Sequence, residues 1–149
     1  MLYLAPSGSG ITAVAHVIQL AVAPVFLLSG IGAMLAVMTN RLARVIDRAR
    51  LLEAQLPAKP GDAESIHGQL ATLSRRAKLV GRSITLCTIT ALLVCAVIAV
   101  LFLSAFLGFD ASVPVALLFV AAMLAFFTGL LTFLREIFLA TASLRIGPP

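Results

Sequence analysis

The chain has 149 residues, of which 61% are hydrophobic and 11% charged. A water-soluble domain carries about 45–50% apolar and about 25% charged residues, so this composition excludes an ordinary soluble globule and points to one membrane domain over 1–149. The 11 basic residues outnumber the 6 acidic ones for a net charge of +5, and where they stand matters more than their sum.

The first element is an apolar run over 18–38, with no Lys, Arg, Asp or Glu. About 20 apolar residues cross the ~30 Å hydrocarbon core as a helix, so a first span is expected over about 18–40. The segment before it lacks a basic n-region, which argues against a cleaved signal peptide. Ser7-Gly8-Ser9-Gly10 within it has the composition of a flexible linker. His16 and Gln19 stand at the outer start of the span, where a lone His is ordinarily a hydrogen-bonded boundary residue. Pro24 falls inside the span, as a packing kink or, in a sharper reading, a gating hinge. Below it, Ser29 and Ala33, and Gly32 and Ala36, pair small residues at i, i+4 around Gly30. That spacing lets helix backbones approach closely.

The segment 41–83 is expected to form an antiparallel helical hairpin of two arms, about 41–56 and 63–83. Leu42, Val45, Ala49, Leu52 and Leu56 make one apolar seam, and Ile66, Leu70, Leu73, Ala77 and Val80 the other. Both follow the alternating 3-4 spacing of coiled coils. Pro57-Ala58-Lys59-Pro60-Gly61-Asp62 breaks the helix between them, with Asp62 as the N-cap of the second arm. Opposite the seams, Arg41, Arg44 and Arg48 share one face, as do Arg75, Lys78 and Arg82. They are candidate contacts for anionic lipid headgroups or for an acidic protein partner. No stacking aromatics interleave with them, so nucleic acid is not expected.

Two more charge-free apolar runs follow, giving spans over about 84–107 and 113–134. The second span carries small residues at Ala91, Cys95 and Ala99, and the third at Ala121, Ala125 and Gly129. Cys87 and Cys95 lie ~12 Å apart along one helix, too far for a mutual disulfide. Thr85, Thr88 and Thr90, with Thr128 and Thr132, can hydrogen-bond across helices or to their own carbonyls. No span shows a continuous polar stripe. After the third span the helix is expected to continue and stop at Gly147-Pro148-Pro149.

Nine basic residues lie between the first two spans and two follow the third. The positive-inside rule therefore puts the hairpin and the C-terminus in the cytoplasm, with the N-terminus and the 108–112 turn outside. Glu136 is the one carboxylate beside a span on the inner side, where an unpartnered charge is costly. A polar boundary layer of Asn40, Arg41, Arg135 and Glu136 is expected, with Asp47 and Arg48 below it. Arg41, Arg44 and Arg82 are at a depth to pair with Glu136. The layer is either a structural clamp or an ion or proton relay at an inner gate. No Cys/His cluster has zinc spacing, no Gly-rich phosphate loop appears and no nucleophile–His–carboxylate set is present, so neither cofactor, metal nor enzymatic activity is expected.

Four stretches carry a family resemblance. They are Ala23-Pro24 with Leu28-Ser29-Gly30-Ile31-Gly32, then 40–50 (NRLARVIDRAR), Leu73-Ser74-Arg75-Arg76-Ala77, and Phe133-Leu134-Arg135-Glu136-Ile137. Together they resemble an uncharacterised family of small bacterial membrane proteins, domain-of-unknown-function family 2721, across about 15–146. The resemblance implies three spans in the bacterial inner membrane and nothing catalytic. The whole chain is thus expected to be an all-α, three-span membrane protein that self-associates through its small-residue stripes. It is expected to serve as a non-enzymatic scaffold or accessory subunit, the alternative being a multi-subunit ion channel or transporter.

Overall fold

The computed structural model describes residues 8–56 and 60–142. Three helices carry the fold: α1 Gly8–Gln55, α2 Ala63–Leu107 and α3 Ser112–Ala142. At 1.5 Å per residue, the 48 residues of α1 and 45 of α2 make rods of about 72 and 68 Å. Both exceed twice the ~30 Å hydrocarbon thickness, so each has length for a span and an arm beyond it. The arms are the hairpin 41–56 and 63–83, continuous with the spans. All three helices are long and apolar enough to cross a membrane, with peak mean hydropathies of 2.3, 2.9 and 2.4. Only 17–22% of those apolar windows is buried within the chain, so most of the apolar surface faces outward.

The linker expected at residues 7–10 is corrected in part: Gly8, Ser9 and Gly10 belong to α1, while Ser7 lies outside the described residues. An apolar helix following directly on the two glycines outweighs their local preference for coil. The helix runs on through Pro24, which is buried. At the hairpin tip, Leu56 N–H donates to Glu53 C=O at 3.3 Å and a short 3₁₀ turn, Pro60–Asp62, leads into α2. Asp62 is the N-cap residue as expected, but its side chain makes no capping hydrogen bond. Between α2 and α3, Gly108 adopts φ 68°, a left-handed conformation that glycine takes without steric cost. Its N–H closes α2 on Ser104 C=O at 2.8 Å. The stop expected at Gly147-Pro148-Pro149 lies outside the described residues.

Helix α2 is the centre of the bundle. Both α1 and α3 pack along it, and among the described residues the backbones of α1 and α3 stay apart. The core follows a seven-residue repeat: Ile31, Met38 and Val45 on α1, Ile66, Leu73, Val80, Cys87 and Val94 on α2, and Ala122, Gly129 and Glu136 on α3 are all buried. Such a repeat keeps one seam facing its neighbour along long helices. The sulfurs of Met38 and Cys87 meet at 3.9 Å and mark the antiparallel register of α1 on α2. Counting one heptad either way from that contact sets Ile31 opposite Val94 and Val45 opposite Val80. Every residue of the two predicted arm seams is buried or half-buried.

Candidate functional site

Glu136 continues the buried α3 stripe of Ala122 and Gly129, so the repeat that packs the helix also drives a carboxylate into the seam. It is 1% exposed. A buried carboxylate must be neutralised and hydrogen-bonded, and here each oxygen is served by a different helix. Arg76 of α2 donates to Oε1 from Nε at 3.3 Å and from Nη2 at 3.0 Å. Arg41 of α1 donates from Nη1 to Oε2 at 3.3 Å. The Arg41 guanidinium also lies over the Phe133 ring, 5.4 Å from its centroid, within range of a cation–π contact. Glu136 thus ties α1 to α3, the two helices whose backbones do not pack together.

The expected polar layer is therefore present in part and differently composed. Arg41 and Glu136 meet at 3.3 Å. Arg48 lies beside them in the cleft that Arg41, Arg44, Arg76 and Glu136 line. Asn40 and Asp47 are exposed and, among the described residues, join no ion pair or side-chain hydrogen bond. Arg135 points elsewhere, into a groove with Arg75 and Phe138. Of the partners considered for Glu136, Arg44 and Arg82 do not pair with it, and Arg76 takes that role. Sequence spacing held a signal for Arg76: it follows Leu73 by three residues and precedes Val80 by four, which puts it on the packed face of the arm. Its distance from the second apolar run hid it. Arg75, Lys78 and Arg82 are exposed, as a basic outer surface requires.

The small-residue stripes divide. Gly129 is in use: a Cβ there would meet Leu86 Cβ at 3.2 Å and Cys87 Sγ at 3.4 Å. Ala122 is buried, Ala121 is exposed and Ala125 is half-buried. Ser29, Gly30, Gly32 and Ala33 are exposed, and a Cβ on either glycine meets nothing within 4 Å. Cys95 and Ala99 also face outward. The threonines turn back on their own helices: Thr85, Thr88, Thr90, Thr128 and Thr132 each donate to the carbonyl four residues earlier, at 2.7–3.0 Å. That leaves them satisfied without polar links between helices. Among the described residues, no three His, Cys, Asp or Glu side chains gather as a metal site. At the other end, the Ser112 N–H donates to Asp110 Oδ1 at 2.9 Å, which holds the Asp110 carboxyl below its usual range.

The chain matches the family described as "Protein of unknown function (DUF2721)" over residues 21–146. The chain belongs to the DUF2721 family. The match takes in Arg41, Arg76 and Glu136, and so the whole clamp of this DUF2721 chain. Neither the curated proteins nor the solved structures contain a match to it.

Proposed function

We propose that this DUF2721 protein is a three-span membrane protein that acts as a non-enzymatic scaffold or accessory subunit, with its basic hairpin in the bacterial cytoplasm. The observation that carries the reading is the closure of Glu136 by Arg41 and Arg76. Both carboxylate oxygens are engaged by fixed cations from two other helices, which suits a clamp better than a group that must exchange ions or protons. The exposed side chains of Arg75, Lys78 and Arg82 give the hairpin a basic surface for an acidic partner or for anionic headgroups. The open face at Ser29, Gly30, Gly32 and Ala33 supports a homo-oligomer, because unfilled small-residue faces let helices of two copies approach closely.

That open face also supports the alternative, a channel or transporter assembled from several copies around a shared axis. Two measurements separate the readings. Purified protein in liposomes should give ion flux no greater than protein-free liposomes. Photocrosslinkers placed at Arg75 and Lys78 in cells should capture one recurrent partner in stoichiometric yield. Selective flux from the purified protein alone would replace the scaffold with the channel.

A further inference from the structure

The clamp opens into a cleft whose charge the scaffold role does not use. The cleft, about 370 Å³, is lined by Arg41, Arg44, Arg48 and Arg76 around the single carboxylate of Glu136. Glu136 is engaged by Arg41 and Arg76, and among the described residues Arg44 and Arg48 have no carboxylate partner. Four guanidiniums facing one carboxylate make a site for a further anion, and guanidinium geometry suits phosphate oxygens.

Directly next to this cleft is an apolar groove of about 730 Å³ between α1 and α3, lined by Met34, Phe126, Leu130 and Phe133 among others. It exists because α1 and α3 both lean on α2 and not on each other. Ile137 lines both the cleft and the groove, and Phe133 is a groove wall that carries the Arg41 guanidinium on its face. Along α3 the groove runs from Met123 to Ile137. Fourteen helical steps cover about 21 Å, more than the ~15 Å depth of one leaflet's hydrocarbon.

We propose that this paired cleft and groove bind one anionic phospholipid, its phosphate among Arg41, Arg44, Arg48 and Arg76 and an acyl chain along the α1–α3 groove. Charge complementarity selects the headgroup and continuity with the groove selects a lipid over a free anion. The site rests on the membrane reading above. It predicts that the lipid fills the gap between α1 and α3, completing at the hydrocarbon level the link that Glu136 makes at the boundary.

The test is native mass spectrometry of the detergent-purified full chain, titrated with phosphatidylglycerol or phosphatidylcholine. One phosphatidylglycerol per chain should be retained, with a preference of about tenfold or more over phosphatidylcholine, the scale expected when two otherwise unpaired arginines meet a phosphate. The double variant Arg44→Gln/Arg48→Gln, which spares the clamp, should abolish the preference. Arg75→Gln/Arg82→Gln removes the same charge outside the cleft and should leave it intact. Leu131→Trp, at the groove edge, should weaken retention of the long-chain lipid. Equal losses from both double variants would mean diffuse attraction and overturn the site. So would full displacement by millimolar inorganic phosphate, which would mark a free-anion site without need of the groove. A chain that stays soluble without detergent would instead overturn the membrane reading itself.

Discussion

The two oxygens of Glu136 answer to different helices, and the strengths of those bonds differ. Arg76 brings two donors and a side chain 25% exposed, whereas Arg41 brings one donor and is 43% exposed. Hydrogen bonds to charged groups contribute about 1.5–3 kcal/mol, more where water is excluded. Glu136→Gln is therefore expected to lower unfolding stability in lipid nanodiscs by about 1.5–3 kcal/mol. Arg76→Gln should cost more than Arg41→Gln, as read by thermal unfolding of each variant. Asp110 sits at the other end of the bundle and has a simpler chemistry. The Ser112 N–H and hydroxyl favour its ionised form and lower its pKa on folding. A lowered folded-state pKa adds stability that is complete above the unfolded value of about 3.9 and lost as pH falls through the folded value. The stability difference between the wild type and Asp110→Asn should accordingly shrink as pH drops below about 4, measured as the difference in melting temperature across a pH series.

At the scale of the helices, the heptad repeat explains both what packs and what is left open. Gly129 lies on the repeat and lets α3 close on Leu86 and Cys87, while Gly32 lies off it and faces outward. Gly129→Leu is expected to destabilise the fold by about 1–3 kcal/mol or more through overpacking. Gly32→Leu should leave the unfolding of a single chain within about 0.5 kcal/mol, as for surface substitutions, yet reduce any self-association through that face. Unfolding curves and sedimentation of the two variants check both. The same repeat marks what was legible in the sequence. The spans, the arm seams and the turn within 108–112 follow from apolar run length, 3-4 spacing and the break between two apolar runs. The direction of the small-residue stripes did not, because every span carries one and spacing alone says nothing about which face a neighbour covers. The partner of Glu136 was half legible: Arg41 shares its depth at the end of an apolar run. Arg76 does not, and only the register of α2 against α3 brings it level.

For the molecule as a whole, α2 is a mast with α1 and α3 leaning on it, and the hairpin extends α1 and α2 beyond the apolar bundle. The distribution of Arg and Lys predicts which end faces the cytoplasm. In a background with Cys87 and Cys95 replaced by alanine, a membrane-impermeant thiol reagent should label Asp110→Cys in intact spheroplasts and Gly61→Cys only after lysis. The reverse pattern would invert the topology. The three-helix body is held by the packing of α1 and α3 on α2, and its closure at the boundary depends on the charges of Arg41, Arg76 and Glu136. A double-mutant cycle of Glu136→Gln with Arg76→Gln, read by unfolding in lipid nanodiscs, tests that dependence most directly. The clamp predicts that the double variant is less destabilised than the sum of the two singles, with a coupling of about 1–3 kcal/mol. Strictly additive losses would mean that Glu136 and Arg76 do not act together, and the clamp would have to be given up.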